Sequence, residues 1–174
     1  VAPDMIAAGG NREPPLVQET RRIVVAFLLL RGRLADAERE LAAAEAVRPL
    51  DSDGRPAAHG KVVLLALGMS NTTQEFQRFM TLARRDPALA AGVVLVDGAQ
   101  GGMDAQAWAN PAMVAERGRP DPWTTLDARL RQAGVTRAQV QAVWVKQARA
   151  NPSALGAFPD HADALRDDLR TIVD

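Results

Sequence analysis

The residues best suited to chemistry each follow a short run of apolar residues. They are Ser70, the glycines within residues 98–102, and Gln147. A serine hydroxyl can act as a nucleophile, and a glycine N–H or a carboxamide can donate hydrogen bonds to an oxyanion. Gly68 precedes the serine and is expected to relieve backbone strain in its turn. Together these groups would suit acyl transfer if the fold brings them to one place.

The three apolar runs predict the elements that must position these groups. Residues 61–67, 93–96 and 142–145 are predicted to be buried strands, and helical patterns lie between them. Strands that alternate with helices form parallel sheets through right-handed crossovers. The prediction is an α/β fold, a three-layer α/β/α sandwich with flavodoxin-like strand order 2-1-3. In that order the loops after the strands meet at the carboxyl edge of the sheet.

The helices are predicted from apolar spacing and from terminal signals. One helix is expected to start near Thr72, because Thr72 and Glu75 match a capping box. Its apolar residues recur at helical spacing and should face the core: Phe76, Phe79, Met80 and Ala83. The other predicted segments are helices at 105–109, 123–132 and 160–173, a helical turn at 136–141, and loops at 48–60, 110–122 and 151–159.

Residues 1–59 are predicted to form a helical extension and a loop, followed by an α/β domain over residues 60–174. Glycine and proline pairs in residues 1–15 indicate a mobile entry segment, and residues 16–47 are predicted to form one or two helices. The apolar run at residues 23–30 is far shorter than the roughly 20 residues that span a bilayer. A core-docking amphipathic helix is therefore predicted there.

The composition excludes several classes of function. The chain has 174 residues, enough for one domain with a core, and its 21 basic residues balance its 21 acidic residues. No overall charge would therefore recruit nucleic acid or an anionic membrane. With no cysteine and only His59 and His161, thiolate and histidine-rich metal sites are excluded. The sequence predicts no cofactor, no metal, no nucleic-acid partner and no membrane partner.

Three short blocks in these loops resemble the motifs of a known enzyme superfamily. Gly68-Met69-Ser70-Asn71 resembles the Gly-x-Ser-Asn nucleophile block of the SGNH (GDSL-like) hydrolases. It looks closest to the branch that contains sialate O-acetylesterases and acetylxylan esterases. Residues 98–101 resemble the glycine block, and residues 143–147 resemble the strand-plus-glutamine block of that branch. The resemblance covers roughly residues 60–150, with the blocks in the same order.

This resemblance implies a serine esterase that hydrolyses a small acyl ester, such as an acetyl group on a carbohydrate. Ser70 would be the nucleophile. The oxyanion would be held by three donors: the N–H of Ser70 itself, the N–H of Gly101 and the carboxamide of Gln147. Asn71 and Gly102 would contact the substrate, and Gly102 is the alternative to Gly101 as a donor. A periplasmic or secreted location is favoured, because the esterases that the chain resembles are often found there and because the sequence does not start with Met.

The chain departs from the superfamily at the catalytic base. The superfamily takes its base from an Asp-x-x-His block, whereas His161 has Phe158 three positions upstream. His161 is nevertheless the only in-chain candidate for the base. Two alternatives stay open. One is a non-catalytic domain of this fold that binds carbohydrate or protein. The other is a fragment or subunit whose site and sheet are completed by a second chain or a homo-oligomer.

Overall fold

The computed structural model describes residues 34–174 of the chain. The predicted entry segment at 1–15 and the predicted helix at 23–30 lie outside these residues. Helix α1 spans Leu34–Ala46 and consists mainly of Ala, Glu and Leu, which have high helix propensity. The division of the chain after residue 59 stays a prediction.

Residues 47–86 and 91–174 form one compact unit, which holds the sheet and the candidate site. Its strands are β1 (Val62–Gly68), β2 (Val93–Asp97) and β3 (Val140–Lys146). Its helices are α2 (Ser70–Ala83), α3 (Ala105–Ala109), α4 (Pro111–Glu116), α5 (Pro122–Gln132) and α6 (Asp160–Val173). Short 3₁₀ turns at Arg137–Gln139 and Pro152–Leu155 precede β3 and α6. Among residues 34–174, no helix is both long and apolar enough to cross a membrane.

The sheet is parallel and has the order β2-β1-β3, which confirms the predicted 2-1-3 order. Alternate side chains of a strand point to opposite faces. Val63, Leu65 and Leu67 of β1 are therefore buried together on one face, in a core that includes residues of α3, α5 and α6. On the other face, Phe76 of α2 packs against Trp144 of β3, with ring centroids 5.9 Å apart. Helices thus cover both faces, and the α/β/α arrangement is confirmed.

Helix α4 lies within the segment predicted to be a loop, so that prediction is wrong. Pro111 occupies its first turn, where the missing N–H costs no hydrogen bond and the fixed φ suits a helix. Gly118, with φ +68°, follows its last turn. In contrast, α3 and α6 match their predicted bounds.

Helix α2 starts two residues earlier than predicted, and it has no capping box. The Thr72 hydroxyl instead donates a hydrogen bond to the Lys146 carbonyl of β3 at 3.1 Å. The Glu75 carboxylate forms an ion pair with the Lys146 ammonium. Both side chains thus tie α2 to β3 rather than closing its N-terminus. The prediction that Phe79 faces the core is also wrong, since this side chain is 38% exposed.

Candidate functional site

The candidate site lies at the carboxyl edge of the sheet, where hydrogen bonds join the loops after the three strands. Gln100, in the loop after β2, donates its N–H to the carbonyl of Gly68 at the end of β1, at 3.0 Å. Ala105, at the start of α3, donates its N–H to the carbonyl of Ala148, in the loop after β3, at 2.9 Å. The strand order and these two contacts hold the three loops side by side.

Ser70 is the exposed first residue of α2. The first N–H groups of a helix have no intrahelical acceptor. Within residues 34–174, neither the N–H nor the hydroxyl of Ser70 has a hydrogen-bond partner. A Cβ built on Gly101 would lie 3.9 Å from the Cβ of Ser70, so the backbone of Gly101 lies beside the serine side chain.

A tight turn after β2 presents the two predicted glycines. Met103 donates its N–H to the Gln100 carbonyl at 3.2 Å. Gly102 has φ +72°, as the third position of a type II turn requires. The Arg119 guanidinium donates to the carbonyls of Gly101 and Gly102, at 2.8 and 3.3 Å. In the described part of the chain, the N–H groups of Gly101 and Gly102 have no acceptor, so both are free to bind a ligand.

Gln147 places its carboxamide against the same turn. Its Nε2 donates to the carbonyl of Met103 at 3.4 Å, one residue beyond Gly102. Its Oε1 is buried and has no partner among residues 34–174. A buried unpaired acceptor costs about 1–3 kcal/mol.

The loop that carries Gln147 is held firmly by α3 and α6. Asp104 accepts a hydrogen bond from the N–H of Ala150 at 2.9 Å. The Arg149 guanidinium binds both carboxylate oxygens of Asp168, at 2.7 and 2.8 Å. These two side chains are only 15% and 11% exposed. A buried bidentate pair fixes geometry as well as charge, so Gln147 has little freedom relative to α6.

Replacing Arg149 with alanine should lower the free energy of unfolding by about 3 kcal/mol. Removing one partner of a buried pair leaves the other charge, here Asp168, without compensation. Chemical denaturation would measure the loss. Arg166→Ala is the matched control, because Arg166 pairs with Asp163 and Asp167 on the surface, where all three side chains are at least half exposed. An exposed pair of this kind adds little to stability, because solvent and salt screen it. Equal losses for the two variants would contradict the argument from burial.

The two remaining predicted residues make local contacts. Asn71 accepts a hydrogen bond from the N–H of Thr72 at 3.0 Å through its side chain, so it satisfies a donor at the start of α2. His161 lies in the first turn of α6, with its ring centroid 6.2 Å from that of Phe158. Within residues 34–174, no hydrogen bond joins His161 to Ser70 or to a carboxylate. The structure therefore does not pair the serine with a base.

Arg119 is the functional candidate that the sequence did not reveal. It is exposed, and it lies in the segment predicted to be a loop. No carboxylate of the described residues forms an ion pair with it. Its positive charge therefore lies beside the glycine turn without neutralisation. The available signal was Pro111, a usual first residue of a helix, followed by Gly118, since glycine is common just past the end of a helix.

Comparison with protein-family models, with curated proteins and with solved structures gives no match. The resemblance to SGNH hydrolases therefore rests on the three sequence blocks alone, and membership of that superfamily stays a prediction. The function has to be inferred from the geometry of the site itself.

Proposed function

We propose that this protein is a serine esterase of SGNH type that hydrolyses small acyl esters, such as an acetyl group on a carbohydrate. One observation carries the proposal. An exposed serine at the start of a helix lies beside a glycine whose N–H has no acceptor in the described chain. A nucleophile and an oxyanion donor need this proximity, because the donor must bind the oxygen of the carbonyl that is attacked.

In the proposed reaction, the hydroxyl oxygen of Ser70 attacks the acyl carbon and forms a tetrahedral oxyanion. The N–H groups of Ser70 and Gly101 donate to that oxyanion, with the Nε2 of Gln147 as the third donor. Collapse breaks the ester C–O bond and releases the alcohol, which takes up the proton that the serine gave to the base. Water then hydrolyses the acyl-enzyme and regenerates Ser70. His161 is the in-chain candidate for the base.

A non-catalytic binding domain is the second candidate function. The observation that favours it is the absence, within residues 34–174, of any base bonded to the Ser70 hydroxyl. Without a base, a serine hydroxyl is a weak nucleophile. The subunit alternative has its own support at β3, the edge strand of the sheet that residues 34–174 form, where Val143 and Trp144 are 45% and 36% exposed. A second chain or a second copy that extends the sheet at β3 would cover these side chains.

A fluorophosphonate probe, which reacts covalently with activated serines, tests the esterase proposal. The expected result is one adduct per chain, located at Ser70 by peptide mass spectrometry. Ser70→Ala should abolish the adduct, whereas Ser153→Ala should retain it. An unlabelled wild-type chain would overturn the proposal and favour the binding domain.

A further inference from the structure

Arg119 reaches the glycine turn from a rigid position. The N–H of Gly118 binds the Ala115 carbonyl at 2.9 Å, and the N–H of Arg119 binds the Val114 carbonyl at 3.2 Å. With Gly118 at φ +68°, these two bonds form a Schellman motif at the end of α4. Val114 is 3% exposed and packs in the core. The backbone of Arg119 is therefore anchored to the core through α4.

The bonds from Arg119 fix the direction of the peptide groups in the turn. In a trans peptide, the C=O and the N–H point in opposite directions. Holding the carbonyl of Gly101 therefore aims the N–H of Gly102, which belongs to the same peptide plane. The carbonyl of Gln100 is held by the N–H of Met103, which aims the N–H of Gly101 in the same way. Hydrogen bonds thus orient all three peptide planes of the turn, and Arg119 binds the carbonyls of two of them.

Within residues 34–174, Arg119 is the only hydrogen-bond donor to the carbonyls of Gly101 and Gly102. Gly101 and Gly102 have no side chains to pack, and consecutive glycines have the greatest backbone freedom. The guanidinium is planar and presents several donors in a fixed fork, so it can bind two successive carbonyls at once. It lies close to the glycine, since a Cβ on Gly102 would be 3.0 Å from its Nη1.

We propose that Arg119 is a positioning residue that orders the Gly101–Gly102 turn: it aims the N–H of Gly102 directly, and by fixing the following peptide planes it steadies the N–H of Gly101, the proposed oxyanion donor. This proposal rests on the esterase function proposed above. Arg119 itself touches neither Ser70 nor the reacting atoms in this account. Its effect on turnover is exerted through the glycines.

Substituting Arg119→Gln should separate this role from a purely structural one. Backbone ¹⁵N relaxation is expected to show the order parameters of Gly101 and Gly102 falling from about 0.85 to below about 0.6. Turnover of p-nitrophenyl acetate, kcat, should fall about tenfold to a hundredfold, because a donor displaced by about 1 Å can cost that much. KM should be unchanged. Arg119→Lys, with one donor group in place of the fork, should give an intermediate kcat.

Arg117→Gln is the matched control, since it removes the same charge from the same segment. Within residues 34–174, the side chain of Arg117 has no hydrogen-bond or ion-pair partner, so this variant should behave like wild type. The positioning role would be overturned if the order parameters of Gly101 and Gly102 were unchanged in Arg119→Gln, or if they fell while kcat stayed the same. If wild-type turnover did not depend on Ser70, the proposed esterase function would be overturned, and with it any catalytic effect of Arg119. The relaxation data would then still decide whether Arg119 orders the turn.

Discussion

Replacing Ser70 with alanine should reduce the hydrolysis of p-nitrophenyl acetate to the rate measured in buffer. The substitution removes the only atom that the proposed mechanism uses to attack the ester. The fold should be unaffected, because Ser70 is exposed and its hydroxyl has no partner among the described residues. The free energy of unfolding should therefore change by no more than about 0.5 kcal/mol. A large loss of turnover with intact stability is the combination that identifies a nucleophile.

Ser153→Ala is the control for that experiment. Ser153 is also exposed, and within the described residues its hydroxyl bonds only to the side chain of Asn151, at 3.1 Å. This variant should hydrolyse the ester at the wild-type rate. If Ser70→Ala also retained the wild-type rate, Ser70 would not be the nucleophile. The site would then be interpreted as a binding surface.

The fold could be predicted from the sequence because its elements have local signals. Each strand is a run of mainly apolar residues, and polar or glycine residues mark where each run ends. The bounds of the strands differ from the predictions by one or two residues, as for β3, which spans Val140–Lys146 instead of 142–145. Helix α4 could not be predicted with certainty from its termini, because Pro111 and Gly118 are typical of a loop. They are equally typical of a helix start and a helix end.

Contacts between residues far apart in sequence could not be predicted in the same way. Thr72 and Glu75 match a capping box locally, yet both bond to Lys146, more than 70 residues away. A capping box is worth about 1 kcal/mol, so a tertiary contact of similar strength can replace it. Local patterns predict a helix well and predict the partners of its side chains poorly.

The candidate site shows the same division. Ser70, Gly101 and Gln147 could be selected because each follows a strand, and the order β2-β1-β3 brings the loops after those strands together. Arg119 could not be selected, because its role depends on where α4 ends in space. The catalytic base could not be assigned either, since no local pattern marks His161 beyond its being a histidine.

Gly68→Ala should lower the free energy of unfolding by about 3 kcal/mol, for a reason that differs from the predicted one. Gly68 was expected to relieve backbone strain, but it is not among the glycines with positive φ, so that prediction is wrong. The structure instead leaves no room for a side chain. A Cβ would lie 2.1 Å from the Thr72 hydroxyl oxygen and 2.5 Å from the Lys146 carbonyl oxygen. Because the latter is backbone of β3, a methyl group would have to push β1 and β3 apart, and overpacking of this kind costs about 1–3 kcal/mol or more.

Gly92→Ala is the matched control, because among residues 34–174 a Cβ there would meet only the Gly60 carbonyl, at an ordinary 3.5 Å. Its effect in chemical denaturation should be below about 1 kcal/mol, and equal losses for the two glycines would contradict the steric argument.

Thr72→Ala supplies a sharper test. In wild type it removes the hydrogen bond from Thr72 to Lys146, whereas in the Gly68→Ala background it also removes the nearest clashing atom. The substitution should therefore cost less in that background, by about 1 kcal/mol of coupling. Additive losses would show that the alanine does not clash with the Thr72 hydroxyl.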